Sequence, residues 1–229
     1  MIRHGKRYRG IKTKVAVKVY ELKEAVAFIK DNPAANFDET MDIAFRLGID
    51  FKKSEQTVRG TVALPHGTGK TVRVLVFATG AAADAAKTAG AAEVGLDDLI
   101  AKIRDGYTGF DVAIATTDAM KEVRKLGKFL GPRGLMPNPK TGTVTDDVAA
   151  AVQQFKAGRV EFRMDRHGNL MVPFGKRSFD VVKLVENVRA VMDAVLAARP
   201  ASTKGIYVKR CVVSSTMGVG LPIRVSVSA

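Results

Sequence analysis

The chain holds a single cysteine, Cys211, so no internal disulfide can form. Its surroundings, Val208 to Val213, read as a strand, and the thiol reads as a small buried side chain. Histidine is scarce as well: His4, His66 and His167 lie far apart, and with one cysteine they offer no metal-ligand spacing. No run approaches the roughly 18 to 20 apolar residues that a membrane helix needs. Residues 1–18 lack a central apolar segment and do not read as a secretion signal. A phosphate loop is missing too. Pro65-His-Gly-Thr-Gly-Lys70 resembles one, but the position where Gly-x4-Gly-Lys-Thr requires its first glycine is Leu64. No Gly-x-Gly-x-x-Gly follows the apolar run ending at Phe77, and no spacing of carboxylates and lysines singles out a catalytic set. These absences argue against a nucleotide-dependent enzyme and imply no cofactor and no metal.

What the chain has in excess is positive charge. Thirty-seven Lys and Arg stand against 23 Asp and Glu, a net +14 over 229 residues. Such an excess favours a polyanionic partner, nucleic acid first and an acidic membrane second. Residues 1–20 carry Arg3, Lys6, Arg7, Arg9, Lys12, Lys14 and Lys18 with no acid, and Tyr8 among them. Such an arm is either a disordered, solvated segment or one that orders on nucleic acid, each cation displacing counterions from phosphates; the overall charge favours the second.

Hydrophobic content of 46% supports a substantial core, and the length suits one large or two ordinary domains. Leu22, Ala25, Val26 and Ile29 share one face of a helix over 21–31, which Pro33 stops. From Phe37 to Arg46 apolar and polar residues alternate, with Phe37, Met41, Ile43 and Phe45 against Asp38, Thr40, Asp42 and Ala44, a half-buried strand. Another strand covers 58–64. From Thr71 strands and helices take turns: strands at 72–77, 92–95 and 110–115, helices at 81–89, 96–105, 118–129 and 146–157. Leu99, Ile100 and Ile103 stripe the second of these helices, and Thr117 is a candidate cap for the third. That alternation implies a doubly wound parallel sheet with helices on both faces. After Gly158, strands at 160–164 and 169–174 flank Asp165-Arg-His-Gly168 as a hairpin. A long helix over 179–198 presents Val182, Val185, Val188, Val191, Met192 and Val195, and strands follow at 205–215 and 222–227.

The economical architecture is α/β with two domains. An outer two-layer α+β domain, an antiparallel sheet with helices, spans 1–67 and 160–229 and is interrupted by a doubly wound parallel α/β domain at 68–159. A two-strand connection of this kind makes a natural hinge. The outer segments carry +5 and +6 and the insertion +3, so +11 of the +14 lies on the outer domain. Charge therefore places nucleic-acid binding there.

One stretch departs from every periodicity. Leu126 to Lys140, continuing through Val144, holds three of the eight prolines, Pro132, Pro137 and Pro139, with glycines between them. Fixed and permissive φ angles in alternation read as a shaped, non-helical loop bearing Lys128, Arg133 and Lys140. The stretch, with Gly131, Pro132, Arg133, Gly134, Pro137, Asn138, Pro139 and Lys140, resembles the signature of the L-one family of large-subunit ribosomal proteins, found in the mobile stalk beside the tRNA exit site. The same family is matched, in order, by His4-Gly-Lys-Arg-Tyr-Arg9, Phe37-Asp-Glu-Thr40, Gly48-Ile-Asp50, Val58-Arg-Gly60, Leu64-Pro-His-Gly67, Ala157-Gly-Arg159 and Ser215-Thr-Met-Gly218.

The resemblance implies a non-enzymatic protein, monomeric within the ribosome, cytoplasmic and without membrane contact. It would bind the stalk region of large-subunit rRNA, contact exit-site tRNA, and repress translation by binding its own operon mRNA. Carried over by position, the rRNA contacts are Phe37, Thr40, Ser215, Thr216, Met217 and Gly218. Hydroxyls and amides of such a turn suit ribose 2′-OH and phosphate oxygens. For tRNA the cationic set Lys52, Lys53, Arg59, Arg163 and Arg166 is nominated, against the alternative of a solvated charged face. Asn36, Thr57, Met164, Ser214 and Ser215 depart from the family's usual residues, which puts contacts at 36 and 164 in doubt.

Overall fold

The computed structural model describes residues 5–50 and 56–224. They fall into two compact units, one running to Gly69 and resuming at Val160, the other Lys70–Arg159. The chain begins with helix α1 (Lys6–Lys12), α2 (Leu22–Asp31), strand β1 (Thr40–Leu47) and β2 (Arg59–Ala63). It continues through β3 (Val74–Phe77), α3 (Ala81–Thr88), β4 (Glu93–Gly95), α4 (Asp97–Arg104), β5 (Val112–Ala115), α5 (Met120–Val123), α6 (Gly127–Leu130) and α7 (Val148–Ala157). It ends with β6 (Arg159–Arg163), β7 (Asn169–Lys176), α8 (Val181–Ala197), β8 (Val208–Ser215) and β9 (Leu221–Ile223).

The outer unit is built on an antiparallel sheet ordered β7-β1-β8-β9. Its central strand, β1, comes from the first half of the chain, and the others come from the second. Alternation in β1 buries Met41, Ile43, Phe45 and Leu47 in the core that includes Ala25, Val26 and Ile29 of α2 and Leu184, Val188, Val191, Met192 and Val195 of α8. The α8 stripe is offset from the valine series read in the sequence: Val182 is exposed, and Leu184 takes the inward place. A separate two-stranded ribbon joins β2 to β6.

In the inserted unit β4-β3-β5 form a parallel sheet. Strand β3 is buried on both faces. Leu75 and Phe77 pack with α4, α5 and α6, whereas Val74 and Val76 pack with α3 and α7. Period two divides one strand between two cores, the requirement of a doubly wound sheet. Among the described residues no helix is long and apolar enough to cross a membrane.

Five readings of the sequence need correction. The basic arm is helical over Lys6–Lys12, with no residue buried, rather than unstructured. Strands β6 and β7 do not form a hairpin: β6 pairs with β2 and β7 with β1. The turn between them is organised by Asp165, whose Oδ1 accepts from the N–H groups of His167 and Asn169, both at 2.8 Å. The helix expected over 118–129 is broken into α5, a 3-10 turn at Arg124–Leu126 and α6, near the weak helix formers Gly127 and Gly131. Its cap is not Thr117, whose hydroxyl donates to Asp146 at 2.8 Å; the Thr116 hydroxyl accepts from the Ala119 N–H. Finally, the proline-rich stretch is not free of helix, because α6 and a 3-10 turn at Pro139–Thr141 lie inside it.

Cys211 is buried, and burial pushes its thiol up to about 12, so thiolate is negligible at neutral pH. A second buried polar group knits the outer unit together. Asn187 of α8 has no solvent exposure. Its Nδ2 donates to Gly67 O (3.0 Å) and Phe174 O (2.8 Å), and its Oδ1 accepts from the His66 N–H (3.1 Å). Asn187→Leu keeps the branched heavy-atom outline, adds some bulk and strands three backbone groups. It is expected to destabilise the outer unit by about 3 kcal/mol, read as a lowered urea midpoint against wild type.

Candidate nucleic-acid interface

Three irregular segments meet at the Thr40 end of β1. The first is the bend 34–39 leading into the strand, the second the turn 215–218 after β8, and the third the segment 176–178 after β7. They are locked by reciprocal bonds. The Thr216 N–H donates to Thr40 O (3.1 Å), and the Thr216 hydroxyl donates to the same oxygen (3.2 Å) and accepts from the Thr40 N–H (3.2 Å). Asp38 accepts from the Ser178 hydroxyl (2.8 Å) and N–H (3.0 Å). Lys176 Nζ donates to the Thr40 hydroxyl oxygen at 2.9 Å.

Beneath them lies Glu39, with 0% exposure. Its carboxylate accepts from the Ala34 N–H (3.4 Å) and the Met217 N–H (3.1 Å), and its own carbonyl accepts from the Arg177 N–H (2.9 Å). A buried carboxylate is tolerable when donors surround it. Here the donors belong to the bend and the turn, so one side chain positions both. Nearby, burial lifts the Asp42 carboxyl above the ordinary carboxylate range, partly opposed by the Lys176 ammonium. Nη1 of Arg177 is buried, with no partner among the described residues.

Phe37 and Met217 stand out on this platform, 53% and 58% exposed. Exposed apolar side chains amid exposed cations suit sugars and bases better than a core. Phe37 lies in the bend before β1, not on the strand as its alternation suggested. Thr40 is half-buried and Thr216 exposed. Ser215 is buried and shapes the turn rather than facing outward. Gly218 leaves room for the Ser215 hydroxyl, which a Cβ there would force to turn aside. Sequence reasoning passed over Glu39 and Lys176. Glu39 had a signal, since period two places it inward with Met41, Ile43 and Phe45. For Lys176, half a chain away, no local pattern pointed to Thr40.

The other nominated residues are dispersed. Arg59 is held by Glu161 through Nη2 (2.6 Å) and Nε (2.8 Å) and is not a free cation. Arg163 and Arg166 are exposed on either side of Asp165. Lys52 and Lys53 lie outside the described residues. Met164 belongs to the core, and Asn36 is exposed beside Phe37. In the inserted unit Gly131, Pro132, Arg133, Gly134, Pro139 and Lys140 are exposed, whereas Pro137 is buried and Asn138 is half-buried.

A family model described as "Ribosomal protein L1p/L10e family" matches residues 27–219, which takes in the second half of α2, the inserted unit and the turn 215–218. The chain belongs to this family. The family is one of ribosomal proteins, not enzymes. Curated relatives agree over nearly the full length. "Large ribosomal subunit protein uL1" of Fervidobacterium nodosum is 53% identical over 231 residues, covering 100% of this chain and 98% of the relative. The protein of the same name from Cutibacterium acnes is 55% identical over 223 residues, covering 97% and 96%. That of Polaromonas sp. is 55% identical over 219 residues, with 95% of each covered.

Gly218→Ala is expected to cost about 1–3 kcal/mol through overpacking against the Ser215 hydroxyl. Adding Ser215→Ala should recover most of it, because the remaining contacts of a Cβ at 218, with Ser215 Cβ at 3.5 Å and N at 3.6 Å, are ordinary. Urea unfolding of the two single variants and the double variant checks this; additive losses would contradict it.

Proposed function

We propose that the chain is a constituent of the large ribosomal subunit and binds the stalk region of its rRNA through the outer unit. The stalk so formed contacts exit-site tRNA and helps to release it. The same surface binds the chain's own operon mRNA and represses its translation, one RNA site serving both roles. The single observation that carries this reading is full-length similarity, at 53–55% identity, to relatives named large ribosomal subunit protein uL1.

The chemistry at the Thr40 end of β1 supports rRNA contact there. The Thr40 and Thr216 hydroxyls and the Lys176 ammonium can meet 2′-OH groups and phosphates, and Phe37 and Met217 can cover sugars or bases. For tRNA, the exposed Arg163 and Arg166 carry the proposal. Arg59, already paired with Glu161, contributes by shaping the β2–β6 ribbon.

Two experiments on the full-length chain test this. The first titrates a stalk rRNA fragment across a salt series. Met217→Glu is expected to weaken binding at least tenfold at constant fold. Lys128→Glu/Arg133→Glu/Lys140→Glu, in the inserted unit, should leave affinity within about threefold and the salt slope nearly unchanged; each lost phosphate contact would flatten it by about 0.7 to 0.9. The reverse ranking would move the rRNA site to the inserted unit. The second replaces Arg163 and Arg166 by Glu in reconstituted ribosomes. rRNA affinity should persist while deacylated tRNA leaves the exit site more slowly. Wild-type release would remove these arginines from the tRNA contact.

A further inference from the structure

Beside the platform just described is a concavity that shares Phe37 and Met217 with it and extends to the first turn of α1. It has a volume of about 450 Å3 and is lined chiefly by Lys6, Arg7, Tyr8, Asn36, Phe37 and Met217. Its walls come from three separate parts of the chain: the first turn of α1, the bend before β1 and the turn after β8. Two of these are tied to one another beneath the surface. The buried Glu39 carboxylate accepts from the N–H of Ala34, which also lines the concavity, and from the N–H of Met217. The backbone positions of two walls are therefore held before any ligand arrives.

The lining has a definite chemical character. Phe37 and Met217 expose flat or polarisable apolar surface on one side, and Tyr8 adds a second ring. Lys6 and Arg7 are exposed at the rim, and the Asn36 amide offers both a donor and an acceptor. Aromatic surface, a bidentate amide and rim cations together fit one unstacked nucleobase with its phosphate outside. They do not fit a paired base, whose edge and faces are already occupied. The volume falls within the range of small-molecule sites, ~300–1,000 Å3.

We propose that this concavity captures a single extrahelical base of the bound RNA, stacked on Phe37 and backed by Met217, with its edge read by Asn36 and its phosphate neutralised by Lys6 and Arg7. The inference rests on the rRNA-binding reading and adds to it a nucleotide-specific pocket. In this reading α1 supplies a wall and the rim charge, although it buries no residue of its own. Unstacked bases on aromatic side chains are the usual route to sequence-specific RNA recognition.

The test uses the full-length chain and a stalk rRNA fragment in which each unpaired nucleotide is made abasic in turn. Against wild type, one abasic position is expected to cost roughly ten- to hundredfold in Kd, the range of a base–aromatic stack. Against Phe37→Ala the same position should cost almost nothing, because the stack is already gone. Phe37 is half exposed, so its replacement leaves the core intact. Asn36→Ala should reduce discrimination between bases at that nucleotide while leaving other positions unaffected. If the intact fragment binds tightly but no abasic position couples to Phe37, the pocket inference is overturned and the rRNA-binding reading stands. If the intact fragment does not bind, both fall.

Discussion

A carboxylate with no access to water governs the Thr40 end of the sheet. Removing Glu39 from solvent is costly, and what offsets it are hydrogen bonds from the N–H groups of Ala34 and Met217. Hydrogen bonds to a charged group contribute more than neutral ones, about 1.5–3 kcal/mol each. Those two N–H groups sit in segments without ladder partners of their own. Neither the bend nor the turn can move without leaving the carboxylate short of a donor. The exchange between Thr40 and Thr216 and the clasp of Ser178 on Asp38 then fix details of an arrangement that Glu39 makes compulsory. Phe37, two residues before Glu39, and Met217, bonded to it, are exposed because the backbone on either side is committed inward.

How much of this was legible in the sequence follows the range of the interactions. Period two marked the inward face of β1 correctly and, read one step further back, would have placed Glu39 at a core position. The alternation of strands and helices from Thr71 onward led to the doubly wound sheet, since each crossover is a local unit. Failures came where partners are distant. The turn at Asp165–Gly168 has the composition of a hairpin, yet β2, about a hundred residues earlier in the chain, captures β6 while β1 captures β7. A valine at every third position of α8 suggested a stripe through Val182, whereas Leu184 packs inward, because three-residue spacing drifts off a face that turns every 3.6 residues. The concavity lined by Tyr8, Phe37 and Met217 joins residues about two hundred positions apart, beyond any local pattern.

The discontinuous chain also explains how charge is distributed. Strand β1 lies between β7 and β8, so the outer sheet cannot close until the inserted unit has been made and passed. Loop-closure entropy grows only slowly with length, which makes a ninety-residue excursion tolerable, about 0.6 kcal/mol for each doubling. The excursion leaves after β2 and returns at β6, which pair with each other, so its ends are held together by the outer unit. An insertion anchored in this way folds around its own two cores, and it carries little of the net charge. The outer unit, assembled from both ends of the chain, concentrates the cations of both.

The proline-rich stretch of the inserted unit was the most conspicuous feature of the sequence, and its structure shows what such a composition does for the chain's own backbone. Its oddity is resolved by Asn138. The Asn138 side chain accepts from the Lys140 N–H (2.8 Å), and its carbonyl accepts from the hydroxyls of Thr141 (3.0 Å) and Thr143 (3.1 Å). The Thr143 hydroxyl in turn accepts from the Asn138 N–H (2.7 Å). Both threonines are buried, so these bonds are obligatory rather than decorative. Gly142 supplies the left-handed step between them, φ 65°. The knot then delivers Val144 alongside β5, where Ala115 donates to Thr143 O (2.9 Å) and accepts from Thr145 (3.1 Å), adding a bridge to the parallel sheet. Asn138, Thr141, Gly142 and Thr143 are thereby accounted for by backbone satisfaction and turn geometry. A motif can be unmistakable in sequence because it solves a folding problem with few solutions, while the Thr40 end of β1 is assembled from residues that look ordinary until the fold brings them together.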